Sequence, residues 1–539
     1  MLSSGQSVYL CLVLVYNSRV MSEIVNQSLR RIVKGAVLVF TGTIIGMFLG
    51  FVGRAMVARY VTQGEYGIYS LALVLLDVFV LTSILGLDFG STRQIAFYRG
   101  KGDEAKVRRV VFSSLQIAVI SSILLSLVLF FTSDLISTKL LHNPELSTPL
   151  RVFSIAIPFS VLIRVFTSVF RGFDRAEPNV YFRQISYYAL FPLLLIIVIL
   201  LGLQFMGVIY AFVASVTLTF IAFVVYAIRQ PPLTLKGEKS GSIVSPITKE
   251  LLLFSLPILP MSIADATMAW TATLMLGFFK TLGDVGLYNA ALPLVQFLPM
   301  VFGATAFLYI PLMSQLYAKG QMDEIKRSYI VLTKWIFAAT LPIFLIFVLF
   351  PEATLNILFS SRYIGAAPAL QILSLGFFIH AILATAGNTL YVIGATRFLM
   401  WSTLIAAVAN IALNIVLIPP LGVVGAAIAT ASALAMRSFL WSARLYSLNK
   451  VHPFTKKYLK PTIVSVVLAL IIYALVKNLI VVIPFWLLPL LFIVFLGAYA
   501  LSVLLTRSFD KEDIMLLLTI EERLGINLKP IKRILEKFL

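Results

Sequence analysis

Charge is what this sequence has least of. Only 12% of its 539 residues are Asp, Glu, Lys or Arg, about half the share found in ordinary soluble chains. Acidic residues are the scarcer sign, 23 against 43 basic, which leaves a formal net charge of +20. There is one cysteine, Cys11, so a disulfide within the chain is excluded and the redox compartment stays open. Three scattered histidines and that cysteine make no metal-ligand cluster. No Gly-rich phosphate loop is present, which argues against a nucleotide-driven pump.

What replaces charge is apolar sequence. Hydrophobic residues make up 60% of the chain, and mean hydropathy is +0.99. They fall in long uninterrupted blocks, where a soluble helix would show a stripe. A bilayer core needs about 20 apolar residues per helix, and backbone groups cannot stay unpaired in lipid, so such blocks must be helical. The fold class expected is therefore an all-α integral membrane protein. Fourteen spans are expected, at 36–58, 67–88, 110–132, 150–171, 182–202, 205–228, 251–279, 286–312, 331–350, 366–393, 398–418, 422–443, 461–480 and 484–506. A very short turn at Gly202–Phe205 separates the fifth span from the sixth.

The organisation follows. Residues 1–35 form an N-terminal segment in which Ser7–Tyr16 is apolar but too short to span; the true start is expected at Met21, with a short membrane-surface segment as the other reading. Residues 36–228 hold the first six spans, 229–250 a polar linker with Pro-Pro and Gly-Ser residues, and 251–443 the next six. Residues 461–506 add two spans. The tail 507–539 alternates apolar and charged residues and reads as an amphipathic helix on the inner surface, with partner binding as the alternative.

Numbering the connections alternately from an inner N-terminus leaves six basic residues outside: Arg59, Lys139, Arg151, Lys280, Arg362 and Lys477. The inner segments hold most of the others, including Arg93, Arg99, Lys101, Lys106, Arg108 and Arg109. That bias predicts both termini on the cytoplasmic side of a cell membrane. The net charge then needs no nucleic acid, because inner loops meet anionic lipid headgroups.

The chain also repeats itself. Glu65-Tyr-Gly-Ile-Tyr69 returns as Asp284-Val-Gly-Leu-Tyr288, and Gly100-Lys-Gly-Asp-Glu-Ala-Lys106 as Gly320-Gln-Met-Asp-Glu-Ile-Lys326. Gly172-Phe-Asp-Arg175 parallels Gly394-Ala-Thr-Arg397, and Gly207 with Ala211 parallels Gly425 with Ala429. Spans 1–6 and 7–12 thus read as homologous six-helix lobes, with 13 and 14 added. An even number of spans per lobe starts both on the same side, so the pseudo-two-fold runs along the membrane normal. Two such lobes leave a cleft that rocking exposes alternately to each face.

Those repeated residues carry a family resemblance. Arg59-Tyr-Val-Thr-Gln-Gly-Glu-Tyr-Gly-Ile-Tyr69 resembles a stretch typical of polysaccharide transporters. Val285-Gly-Leu-Tyr-Asn-Ala290, Pro311-Leu-Met-Ser-Gln-Leu316 and Ala366-Ala-Pro-Ala-Leu-Gln-Ile-Leu373 resemble parts of their second half. These are lipid-linked oligosaccharide flippases of the O-antigen and teichoic-acid exporter type. Their superfamily, the multidrug/oligosaccharidyl-lipid/polysaccharide flippases, also holds lipid II flippases and multidrug and toxic-compound extrusion transporters. The resemblance covers about residues 25 to 510. It implies translocation of a polyprenyl-(pyro)phosphate-linked oligosaccharide, with glycan polymerase or transferase machinery among prospective partners.

Such cargo requires a wet, cationic cleft, and ionisable residues inside spans are its natural candidates. They are Arg54, Asp77, Arg164, Asp265, His380 and Arg437. Arg54 either snorkels outward, pairs with Asp77 or binds cargo. Arg164 and Arg437 either snorkel or line the cleft, where guanidinium forks suit a diphosphate. With Arg54 they form the expected substrate-binding set. His380 reads as a packed, hydrogen-bonded residue.

Asp265, Asn410, Asn414 and Thr430 resemble by spacing the sodium site in the second lobe of lipid II flippases, and oxygen donors suit a hard cation. The match departs at Asn414, where that site has a carboxylate. The other readings are helix-to-helix hydrogen bonding by the asparagines and proton carriage by Asp265. Together with Asp77 these form the expected ion-coupling set, for Na+ or H+; no other cofactor is expected.

Gly42, Gly46 and Gly50 form a small-residue ridge that reads as close helix packing. Pro257, Pro260, Pro293 and Pro299 read as kinks, with gating as the other role. No enzymatic activity is expected: a membrane polysaccharide polymerase or ligase would need a large outer loop, and Asp134–Pro149 and Pro351–Gly365 are short. The rival transporter is a cation-coupled multidrug exporter, whose cationic cargo would favour acidic cleft residues.

Overall fold

A computed structural model describes residues 38–230, 246–452, 456–479, 484 and 486–505. The expected N-terminal segment, most of the linker and the amphipathic tail lie outside the described residues. Among the described residues every regular element is helical. The first lobe comprises α1 (Leu38–Tyr60), α2 (Gln63–Ile84), α3 (Leu87–Gly100), α4 (Glu104–Leu135), α5 (Ser147–Ser154), α6 (Ala156–Gly172), α7 (Tyr187–Leu200) and α8 (Phe205–Ile228). The second comprises α9 (Pro246–Ser255), α10 (Leu259–Phe279), α11 (Leu282–Val295), α12 (Met300–Ala318), α13 (Met322–Leu349), α14 (Pro351–Leu358), α15 (Ala367–Leu383), α16 (Thr385–Val392) and α17 (Thr396–Asn449). Two further helices, α18 (Lys456–Leu479) and α19 (Leu487–Leu505), follow.

Nine helices among the described residues are long and apolar enough to cross a bilayer, or ten if the pair bent by 44° at Ile155 is one span. The expected count of fourteen is not reached by that measure, for physical reasons. Two expected spans run together in the 54-residue α17, broken only at Gly422. The expected eighth span is divided at 296–299 between α11 and α12, beside Pro299. The last two appear as shorter apolar helices, Thr462–Asn478 and Leu487–Ser502.

The repeat reaches down to backbone chemistry. Thr62 caps α2 through a box with Glu65, and Thr281 caps α11 through the same box with Asp284. In each, the threonine oxygen and the carboxylate satisfy otherwise orphaned backbone donors. Helix ends recur as well. Gly102, Asp174 and Gly202 carry left-handed φ values of 71°, 60° and 62° in the first lobe; Gly320, Gly394 and Gly422 carry 72°, 82° and 55° in the second. A left-handed residue just past a helix accepts the terminating geometry that glycine adopts without strain. These pairs correct the sequence alignment locally: Gly320 is the counterpart of Gly102, and Gly394 that of Asp174.

The lobes meet through equivalent residues. A side chain at Gly67 would collide with the Leu282 carbonyl, and one at Gly286 with the Gln63 carbonyl. Gly67 and Gly286 are repeat equivalents, as are Gln63 and Leu282, so each lobe makes the same contact on the other. That reciprocity is what a pseudo-two-fold between lobes requires. It lies at the end of the molecule where α1 turns into α2, called here the Thr62 face; the opposite end is the Gly100 face. The glycine ridge also packs closely, and does so within the first lobe. Cβ atoms at Gly42, Gly46, Gly50 and Gly53 would meet Val180, Gln184, Tyr188 and Phe191 in turn, so α1 is zipped to the segment leading through α7. The final pair is anchored on the second lobe by Tyr499 beside Phe337 and Tyr473 beside Phe350.

Candidate functional site in the cleft between the lobes

Two connected cavities lie along the inner wall of α2. The larger, about 220 Å³, is lined by residues of the first lobe, with Arg54, Asp77, Arg164 and Arg183 as its charged members and Ser160, Tyr69, Tyr187 and Tyr188 supplying hydroxyls. The smaller, about 130 Å³, shares Arg54, Tyr69, Leu73 and Asp77 with it and crosses to the second lobe at Trp270, Asn289 and Gln296. Asp77 is 14 residues into α2, about 21 Å along it, and so lies deep within the helix layer.

Each charge is placed by its helix. Gly50 and Gly53 bring α1 against Tyr188 and Phe191, which fixes Arg54 towards the cavity. Asp77 and Arg164 approach to 3.8 Å, with 54% of the Asp77 side chain and 28% of the Arg164 side chain exposed. A carboxylate so exposed at this depth borders open space. Arg54 is the second cation in electrostatic range of Asp77. Three guanidiniums face one carboxylate, leaving a formal excess of two positive charges on the wall. Among the described residues Arg54 and Arg183 have no protein hydrogen-bond or ion-pair partner. A guanidinium carries five N–H donors, so this wall presents an unfilled donor array suited to an anion.

Towards the Thr62 face the cavities are shut. Gln63 Nε2 donates to the Gly283 carbonyl at 2.9 Å, the Tyr66 hydroxyl to the Asn289 carbonyl at 3.1 Å and the Tyr363 hydroxyl to the Ala58 carbonyl at 3.1 Å. Arg362 donates to the Val61 carbonyl at 3.1 Å, while Arg59 binds the carbonyls of Leu358 and Ile357. Phe51 seals α1 against Phe297 and Phe359, with ring centroids at 5.4 and 5.8 Å. On one seam α9 crosses to the first lobe. Glu250 accepts from the Tyr98 hydroxyl at 2.8 Å and from Gln94 at 3.3 Å, and Ser255 fills the space above Gly86 and Gly90. The short turn Leu256–Ile258, containing Pro257, then redirects the chain into α10, which packs on α17. The expected proline kink is thus the point where this span changes lobes.

The sequence-predicted residues divide differently from the expectation. Arg54, Asp77 and Arg164 come together in the cavity. Arg437 does not join them: it is buried, its Nη1 lies 3.0 Å from Asp265 Oδ1, and its guanidinium sits 4.9 Å from the Trp441 ring. Trp441 in turn donates to the Ser402 hydroxyl at 2.8 Å. Asp265 is therefore matched by a tethered cation. It lies on the same face of α10 as Ala269 and Thr273, which line the smaller cavity one and two turns along. His380 is held by the Ser438 hydroxyl at 2.8 Å, as a packed polar residue.

Asn410 and Asn414 are both fully buried and bonded to each other, Asn414 Nδ2 donating to the Asn410 carbonyl at 2.7 Å. Asn410 reaches the Ala429 carbonyl at 3.5 Å, while Thr430 shares a hydrogen bond with the Tyr288 hydroxyl at 3.0 Å. Ala264 and Met268 pack against Ala406, Ala407, Ala433 and Leu434, which sets Asp265 about one turn away from Asn410 and Thr430. The expected oxygen cage thus has its asparagines and threonine adjacent, with its carboxylate drawn off to Arg437. Among the described residues no group of three or more His, Cys, Asp or Glu side chains gathers to hold a metal.

Sequence reasoning missed Arg183. It stands at the start of an apolar block, where an arginine reads as a snorkelling end residue. The glycine ridge was the available signal: whichever segment zips onto Gly42–Gly50 is drawn along α1 towards Arg54.

Comparison with known proteins agrees with this architecture. Residues 32–317, just over half of the chain, match the family described as polysaccharide biosynthesis protein. The chain belongs to that family. An uncharacterized membrane protein of Methanocaldococcus jannaschii, MJ1068, is 24% identical over 448 residues, covering 80% of this chain and 87% of its own. The probable low-salt glycan biosynthesis flippase Agl15 of Haloferax volcanii is 24% identical over 419 residues, covering 77% and 83%. Among solved structures, the lipid II flippase MurJ in an inward closed conformation superposes with a TM-score of 0.65 at 14% identity, over 86% of this chain and 98% of that one. This polysaccharide biosynthesis family member therefore shares that fold.

Proposed function

We propose that the protein is a flippase that moves a polyprenyl-(pyro)phosphate-linked oligosaccharide from the cytoplasmic to the outer leaflet of the cell membrane. The observation that carries this reading is the cleft wall itself: Arg54, Arg164 and Arg183 face a single carboxylate, with two of the three guanidiniums unpartnered among the described residues. A diphosphate supplies the acceptors that array lacks, and charge-assisted bonds from guanidinium forks are the strong ones. The family and the relative named as a glycan biosynthesis flippase support the cargo class.

Direction follows from two features. The basic bias of the sequence assigns the Gly100 face to the cytoplasm, and the reciprocal contacts close the Thr62 face. Cargo then enters from the cytoplasmic side, and rocking that parts the α2–α11 contact releases it outward. The multidrug reading requires an acidic cleft, and the excess of arginines on this wall opposes it. The lobes at 36–228 and 251–443 are the moving bodies, and anionic inner-leaflet lipids are the partners of the basic loops.

The test is reconstitution into proteoliposomes carrying a fluorescent polyprenyl-diphosphoryl saccharide. Accelerated loss of the probe from one leaflet is expected. No acceleration, with uptake or export of an organic cation instead, would refute the assignment.

A further inference from the structure

The two cavities differ in chemistry. The larger holds the arginines. The smaller adds no charge of its own, since Arg54 and Asp77 are both shared. What it adds is the Trp270 ring, the buried Tyr66 and the amides of Asn289 and Gln296. Trp270 of α10 is partly exposed to it, and its indole N–H has no acceptor among the described residues. Gln296, just past α11, is exposed with its side-chain amide likewise unpartnered. Between them Asn289 is locked: its Nδ2 donates to the Val285 carbonyl at 2.9 Å and reaches the Thr273 hydroxyl at 3.2 Å. An aromatic face beside amides, with no net charge, is the chemistry that binds a pyranose. The ring covers its apolar face, and the amides meet hydroxyls that would otherwise be left dry.

Position narrows this further. Along α2 the smaller cavity runs from Tyr66 to Asp77 and the larger from Tyr69 to Val80, so the smaller lies nearer the closed Thr62 face. They join at Arg54 and Asp77. A group in the smaller cavity is therefore next to whatever anion Arg54 holds.

We propose that Trp270 and Gln296 form a subsite for the first sugar of the cargo, the one bonded directly to the diphosphate. Specificity for the glycan then resides in the second lobe and the charge contacts in the first. This rests on the cavity's assignment to a diphosphate, and the subsite reads the reducing-end residue only; sugars beyond it are not selected here. Because the subsite bridges α2 to α10 and α11, occupancy by the correct sugar also bears on both lobes at once.

The test is equilibrium binding to the purified full chain in nanodiscs. The probes are farnesyl diphosphate and its glucosyl, galactosyl and N-acetylglucosaminyl derivatives. Wild type is expected to bind at least one glycosylated probe about tenfold or more tighter than farnesyl diphosphate, a difference of about 1.4 kcal/mol. Trp270→Ala and Gln296→Ala should each erase most of that preference while leaving farnesyl diphosphate affinity within twofold, and Trp270→Phe should keep most of it. Retained farnesyl diphosphate binding certifies folding; where Trp270→Ala fails to fold, Gln296→Ala decides. Equal affinity of wild type for all four probes, or equal weakening of all four by both variants, overturns the sugar subsite and leaves the diphosphate reading standing. Failure of wild type to bind any probe overturns the diphosphate reading as well.

Discussion

Neutralising the cleft arginines one at a time gives an ordered set of effects. Among the described residues Arg54 has no hydrogen-bond or ion-pair partner, so Arg54→Gln chiefly removes its bonds to the proposed cargo. A hydrogen bond to a charged group contributes about 1.5–3 kcal/mol, or about 10- to 150-fold in affinity. Arg164→Gln should cost more. Its guanidinium lies 3.8 Å from Asp77, and without it that carboxylate faces an anionic cargo less screened, with Arg54 left in range. At 4–8 Å in a water-like dielectric, the repulsion is about 0.5–1 kcal/mol. Asp77→Asn alone should therefore tighten diphosphate binding about two- to fivefold, and it should partly rescue Arg164→Gln. Arg437→Gln should leave diphosphate affinity unchanged, because Arg437 is turned to Asp265. The measurement is farnesyl diphosphate affinity in nanodiscs at fixed ionic strength, with initial translocation rates in proteoliposomes alongside. An Arg437→Gln loss as large as that of Arg54→Gln, or weaker binding in Asp77→Asn, would refute the placement of cargo against the first lobe.

The Asp265–Arg437 pair should be asymmetric in stability. Asp265→Ala strands a guanidinium whose side chain is only 11% exposed, at about 3 kcal/mol. Arg437→Met leaves a half-exposed carboxylate that water can still reach, at about 1 kcal/mol; thermal unfolding in detergent should rank them so, and the reverse order would contradict the pairing. Replacing Na+ by K+ should leave translocation rates within about twofold, since Asp265 already has its cation and the asparagines bring no charge; a strict Na+ requirement measured in ion-replaced vesicles would restore the cage. Gly46→Leu should abolish folding or activity, because its side chain would meet the Gln184 backbone 2.5 Å from the Cβ position; a fully active variant would mean that α1 is not zipped to that segment. Cysteines at Gln63 and Gly283, joined by a short bifunctional reagent, should stop translocation and spare diphosphate binding, with activity returning on cleavage of the linker; transport through the cross-linked protein would rule out opening at the Thr62 face.

The large pattern of the fold was legible because it is written in long-range composition. Apolar blocks and the repeated motifs around Gly67 and Gly286 each follow from a local rule that one sequence can display. Where the reading slipped, a local rule had two outcomes. The break expected between spans 398–418 and 422–443 is present at Gly422, but the two spans remain joined as one 54-residue element. The repeated Asp-Glu pairs drew the Gly100 loop two residues out of register, because the left-handed glycine that ends the helix, and not the acidic pair, is what the fold conserves between lobes. The site was less legible still. Spacing puts Asn410 and Asn414 on one helix face, but nothing local reveals that Asp265 pairs with a residue 172 positions away. Arg183 stands at the start of its apolar block and Arg437 well inside its own, yet tertiary packing sends the first to the cleft and the second to a carboxylate.

That contrast changes what the duplication means for mechanism. The two lobes share caps, helix terminators and the reciprocal α2–α11 contact, so the seam at the Thr62 face is symmetric. Their charges are not. Among the described residues the first lobe exposes two guanidiniums without ion-pair partners, whereas the second covers the Asp265 carboxylate with its own Arg437. A net field therefore points across the cleft from one lobe to the other, and an anionic group entering it is drawn to the α1–α2–α6 wall. The uncharged Trp270 and Gln296 surface is what remains opposite. Between lobes joined by a symmetric seam, this asymmetric lining would orient the proposed cargo with its diphosphate against the first lobe, its glycan toward the closed Thr62 face and its lipid toward the bilayer.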